Sequence, residues 1–230
     1  MIWTIISSVL VFFISIWLGE KRLLKLEQIT LRRFLFAGII GLALFLVLRF
    51  LHSLGFFPQE MAAAFMSSMY ASTAGFFGGA AYSQFLMKKS YGRLEYVNNA
   101  FISNLLPNII ALTIIILGIA RTSLFNEVPI TPIRATSGLS LICTGFYIIT
   151  LRTTPEFREK GFIILDRKIE WKNLIAYQWY EDQVIELEFN YENEIRFHRT
   201  IIKMEDEKEV EKLLSAKMRA KLEKQEQSER

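Results

Sequence analysis

The chain has 230 residues, 52% of them hydrophobic, 13% aromatic and 22% charged, with a formal net charge of +4 and a mean hydropathy of +0.27. The charge is unevenly placed: residues 1–154 hold 12 Lys/Arg and 5 Asp/Glu, none of them Asp, whereas residues 155–230 hold 15 and 18. An apolar, basic two-thirds joined to a charged, mildly acidic third excludes a single globular domain and a disordered chain, and one cysteine excludes an intrachain disulfide scaffold.

Crossing the hydrocarbon takes about 20 predominantly apolar residues, because a helix rises 1.5 Å per residue and no water satisfies a bare backbone there. Five stretches are expected to span: about 2–18, 34–51, 61–87, 101–120 and 136–151. Trp3 and Trp17 bracket the first, where amphipathic rings prefer the interface. It reads as a span rather than a cleaved signal peptide, since no Lys or Arg precedes the apolar run and no small-x-small site follows it. The third is the longest and least greasy, rich in Ala, Gly and Ser. The fifth is short and carries Cys143, a small hydrophobe in that setting.

Lys/Arg counts in the short loops set the orientation. Loop 19–33 has five (Lys21, Arg22, Lys25, Arg32, Arg33), loop 52–60 none, loop 88–100 three and loop 121–135 two. The expected topology is N-terminus out, with loops 19–33 and 88–100 and the C-terminal segment inside. A bacterial plasma membrane is the default expectation, a thylakoid-type membrane the alternative.

Two local patterns stand out within the spans. Ser67, Ala71, Gly75, Gly79 and Ser83 recur every four residues, so they share one helix face and let another backbone approach closely. That stripe reads as packing inside the bundle or as a self-association face. Asn104, Pro107 and Asn108 lie at the start of the fourth span. Proline frees a carbonyl, and the two asparagines sit one turn apart, so a polar path is one reading and structural bonding near the interface the other. No Asp, Glu or Lys lies deep in any span to serve as a charged relay.

After Pro155 the periodicity changes. Gly161–Leu165, Ile169–Trp171, Leu174–Tyr180, Val184–Phe189 and Ile195–Ile202 read as an antiparallel meander of four or five strands. Asp206 with Glu209 forms a capping-box pattern, and Val210, Leu213, Leu214, Met218 and Leu222 give the following helix its apolar stripe. This predicts a small cytoplasmic α+β domain over 155–216 and a polar tail over 217–230. A domain of this size is marginal, so Trp171, Tyr177, Trp179, Phe189 and Phe197 are expected to supply much of its core.

Arg158-Glu159-Lys160-Gly161, Ile169-x-Trp171, Tyr177-x-Trp179 and Glu209–Leu214 carry a resemblance. Residues 157–214 resemble a family of uncharacterised domains at the C-termini of small bacterial membrane proteins. The layout, strands followed by one helix, is similar in outline to small bacterial pleckstrin-homology-like domains. The resemblance implies no catalytic residues.

No metal-ligand spacing, phosphate loop or nucleophile motif is present, the two histidines lie far apart in sequence, and the membrane part holds no acidic pair. The expectation is therefore non-enzymatic and without cofactor: a scaffold, assembly or regulatory subunit in the lipid bilayer, with a membrane-protein partner or a homo-oligomer and no nucleic acid. Arg158, Lys160, Arg167, Lys168 and Lys172, with Trp171 and Trp179, are the candidate docking or lipid-facing residues. The alternative is a small oligomeric transporter or channel subunit using the Asn/Pro-broken fourth helix.

Overall fold

A computed structural model describes residues 2–22, 30–99, 101–125, 129–152 and 154–228. Lys25 of the inner-loop count, Thr153 at the expected domain boundary and the last two residues of the tail lie outside the described residues. The chain divides into two compact units: residues 1–85 with 108–150, and residues 86–107 with 151–230.

The first unit is helical: α1 (Ile2–Glu20), α2 (Leu31–Ser53), α3 (Gln59–Ser90), α4 (Leu106–Arg121) and α5 (Pro132–Thr150), with the last turn of α3 and the first of α4 falling in the second unit. Among the described residues three helices, α1, α2 and α5, are long and apolar enough to cross a membrane. Three of the five expected spans thus meet this measure of helix length and hydropathy. The 16 residues of α4 reach roughly 24 Å at 1.5 Å per residue, short of the ~30 Å core. The 32-residue α3 is long enough, but its many Ala, Gly and Ser dilute its hydropathy.

Glycines decide how this unit packs. A Cβ on Gly75 would lie 2.3 Å from the Phe12 carbonyl oxygen, one on Gly79 2.2 Å from that of Ile16, and one on Gly19 2.1 Å from that of Phe76. Backbone therefore touches backbone along α1 and α3, which only residues without a side chain permit. Hydroxyls tie the same seam: Ser8 donates to Ser67 at 2.9 Å, Ser15 and Ser72 share a bond at 2.9 Å, and Ser68 donates to Ser7 at 3.2 Å. A second seam joins α4 to α5, where a Cβ on Gly138 would sit 2.6 Å from the Gly118 oxygen and one on Gly145 2.8 Å from the Ala111 oxygen.

The second unit holds seven strands in two antiparallel sheets. One orders β1 (Leu94–Val97), β2 (Glu156–Arg158), β3 (Gly161–Ile164) and β4 (Arg167–Glu170) side by side; the other orders β5 (Leu174–Glu181), β6 (Val184–Tyr191) and β7 (Glu194–Ile201). A 3-10 turn, Trp171–Asn173, links the sheets, and α6 (Glu207–Ser228) closes the chain. Phe157, Phe162, Ile169, Leu174, Ile185, Leu187, Phe189, Ile202, Val210 and Leu214 form one buried core with Tyr96.

Three expectations for this unit change. The domain does not begin at 155: β1 comes from loop 88–100 and pairs with β2, Tyr96 opposite Phe157, because a three-residue edge strand gains a second ladder and a buried aromatic from it. The tail from Lys217 is helical as far as Ser228, held by Lys217 donating to Glu95 at 2.8 Å and Lys221 to the Leu174 carbonyl at 2.6 Å. The capping box does not form as expected: α6 starts at Glu207 after a 3-10 turn, and the Asp206 carboxylate accepts instead from the Tyr96 hydroxyl at 3.0 Å.

Candidate docking face and a charge cluster at the helix ends

The β6–β7 hairpin fixes which side chains of β7 are available. Its two loop residues, Glu192 and Asn193, have φ of 55° and 65°, the positive pair that a two-residue hairpin turn requires. The turn sets Tyr191 opposite Glu194, and thus Phe189 opposite Arg196, Leu187 opposite His198 and Ile185 opposite Thr200. Since Ile185, Leu187 and Phe189 point into the core, the alternation sends Arg196, His198 and Thr200 inward. Ile195, Phe197 and Ile201 face out, 60%, 61% and 63% exposed. Phe197, expected in the core, is therefore a surface residue. Tyr180 is exposed beside them, with the Arg199 guanidinium 3.9 Å over its ring while Arg199 also pairs with Glu186. Among the described residues β7 has one strand neighbour, so its other edge is unpaired.

The candidate docking residues named from sequence do not gather into one patch. Arg158 is inward, donating Nε and Nη2 to the Glu156 carboxylate at 3.0 and 2.8 Å and Nη1 to the Lys88 and Gly92 carbonyls. Lys160 donates to the Ser90 carbonyl at 3.0 Å. Arg167 stands 5.7 Å from the Tyr191 ring, Lys172 pairs with Glu170 in solvent, and Lys168 is exposed. Trp171 packs on Phe157 and Phe162 and donates its indole N–H to the Arg158 carbonyl at 2.9 Å. Trp179 lies at the rim and donates to Glu211 at 2.8 Å. The same carboxylate accepts from Tyr177, whose phenol is pushed up to about 12 by burial and by that bond.

The small-residue stripe is occupied within the chain. Gly75 and Gly79 receive the α1 backbone, Ser67 bonds Ser8 and Thr136, Ser83 accepts from Arg22 at 2.9 Å, and Ala71 is buried. Pro107 is the second residue of α4, directly behind that α-helix's π-helical lead-in. Asn104 sits in a π-helical turn, Phe101–Leu105, donates to Asn99 at 2.8 Å and accepts from Arg152. Asn108 follows one turn into α4. Asn104 thus has side-chain partners both before it and after α5 in the chain.

The sequence alone did not single out a charge cluster built from two distant chain segments. Glu156, its side chain 4% exposed, is bound by Lys88 from the last turn of α3 and by Arg158, with Arg152 Nε 3.7 Å from its Oε1. Burial alone would raise the Glu156 carboxyl, but Lys88 and Arg158 overcome it and hold it below the ordinary carboxylate range. Beside it, Met87 and Tyr91 bury Ile163 of β3, so the last turn of α3 is packed onto the sheet. Glu156 between Arg152 and Arg158 was the only sequence signal, and ion pairs between distant segments leave no periodicity.

These features define an integral membrane protein of several apolar helices carrying a small α+β module. Residues 153–219 match the model of a domain of unknown function (DUF5673), which includes β2 to β7 and most of α6 but not β1. No curated protein and no solved structure matches the chain.

Proposed function

We propose that this protein is a non-enzymatic adaptor of the plasma membrane, its α+β module cytoplasmic and docking a protein partner through the outer face of the β5–β6–β7 sheet. The observation that carries the reading is the row of Ile195, Phe197 and Ile201, exposed on an edge strand whose second ladder is unpaired. Soluble modules ordinarily cover or charge such an edge, and a row of large apolar side chains on one marks an interaction surface.

The topology supports five crossings. β1, before α4, pairs with β2, after α5, which supports a topology with both ends of the α4–α5 segment on one side of the bilayer. The π turn lengthens the helical run into α4 to residues 101–121, enough to reach across. The Lys/Arg-rich short loops favour the inside for that shared side. The four-plus-three strands closed by a C-terminal helix are similar in outline to pleckstrin-homology-like domains.

The test is purification of tagged full-length protein in mild detergent, with mass measurement of the intact complex, for wild type and for Phe197→Glu with Ile201→Lys. The reading expects a stoichiometric second protein with wild type and its loss in the double variant, whose module melts within a few degrees of wild type. A lone chain, or an unchanged complement in the variant, overturns it.

A further inference from the structure

Independently of the docking face, the cluster around Glu156 has more positive than negative charge. Lys88, Arg152 and Arg158 surround one carboxylate, and their side chains are 15%, 25% and 14% exposed. Among the described residues no second acidic side chain pairs with any of the three, so two positive charges remain in excess where water is scarce. Like charges held together in such a place repel strongly and call for an anion.

The three cations are not equally committed. Arg158 spends Nε, Nη1 and Nη2 on Glu156, Lys88 and Gly92. Lys88 pairs with Glu156 alone among the described side chains, leaving ammonium protons to donate. Arg152 is beyond hydrogen-bond distance of Glu156 and gives one Nη to Asn104, so its other Nη is available. Lys88 lies in the last turn of α3, Asn104 precedes α4, and Arg152 follows α5 by two residues. In the five-span reading proposed above, each therefore stands at the end of a span on the inner side, and basic pockets at such ends hold anionic headgroups.

We propose that Lys88 and Arg152 form a binding site for a phosphate-type anion, whether a lipid phosphodiester or free phosphate, with Arg158 and Glu156 holding the site rigid. The anion would take the open Arg152 fork and the Lys88 ammonium, completing the charge balance that Glu156 leaves short.

The experiment uses full-length protein in neutral detergent, titrated separately with phosphatidylglycerol, phosphatidylcholine and inorganic phosphate, and reads bound lipid by native mass spectrometry and phosphate by equilibrium dialysis. One phosphatidylglycerol is expected to bind at least tenfold more tightly than phosphatidylcholine. Arg152→Gln should abolish that preference, while Arg199→Gln on the exposed face of β7 leaves it intact. Saturable phosphate binding that displaces the lipid would identify the free anion as a second source, and phosphate binding without any lipid preference would make it the ligand. Equal affinity for the two lipids together with no phosphate binding overturns the proposal, as does equal loss in Arg152→Gln and Arg199→Gln. Should Arg152→Gln fail to fold, Arg152→Lys decides: retained preference is expected, and its loss in a normally melting protein overturns the assignment.

Discussion

Leu94 of β1 is the register partner of Arg158 of β2, although α4 and α5 lie between them in the chain. The module is thus assembled from segments on both sides of α4 and α5 in the chain, and its first sheet depends on a strand contributed before them. Tyr96 makes the dependence energetic as well as topological: it is buried beside Phe157 and donates to Asp206 next to α6.

It follows that residues 155–230 alone lack a core aromatic and expose a β2 edge. That fragment should unfold with low cooperativity, while a fusion of residues 86–99 to it through a flexible linker should melt as one unit. Urea unfolding followed by circular dichroism distinguishes them. Within the fusion, Tyr96→Phe should cost about 0.5–1.5 kcal/mol, the usual worth of one such hydrogen bond.

The glycines of α3 should differ sharply from those of α2. At Gly79 an added Cβ would meet the Ile16 carbonyl at 2.2 Å, whereas at Gly41 it would meet nothing within 4 Å. Gly79→Ala is expected to force α1 off α3 and cost about 1–3 kcal/mol, the usual range for overpacking. Gly41→Ala should leave the unfolding midpoint in detergent unchanged. Equal behaviour of the two variants would contradict the seam described here.

Glu192 holds φ at 55° without being glycine, a conformation that strains an ordinary side chain. Replacing it with glycine or asparagine should therefore stabilise the module by up to ~1 kcal/mol. Inserting one residue into the same turn should do the opposite. It would shift the register of β7 by one and turn Ile195, Phe197 and Ile201 toward the core. Thermal melts of the linked module would read both effects.

His198 predicts a pH dependence. It faces inward opposite Leu187, its Nε2 is buried without a partner, and burial, aided by Arg167, lowers its pKa from the ordinary value. The folded state therefore favours the neutral ring, while the unfolded chain takes up a proton near pH 6.5. Between that pH and the lower folded value the unfolded state binds more protons, so stability present above pH 6.5 is lost as the pH falls. His198→Gln should flatten this slope between pH 7 and 5, and an unaltered slope would assign the dependence to other groups.

Much of the molecule was legible from local pattern. Apolar run length located the helices, the glycine and serine spacing of α3 marked a close-packing face, and alternation with turn residues placed most strands of the module. Those signals are local because each reflects one element meeting water, lipid or a neighbouring backbone. The Gly118–Gly138–Gly145 seam was less visible, since its partners are distributed over two helices. Only the tertiary structure decided what depended on partners far apart in the chain. It recruited β1 across two helices, gave the α3 stripe to α1, and brought Lys88, Arg152 and Glu156 together. The outward turn of Phe197 was decided in the same way. The residues of β7 alternate either way, and the positive-φ turn together with the inward face of β6 fixed which alternate set faces solvent, because a one-residue change of register exchanges the two faces of a strand.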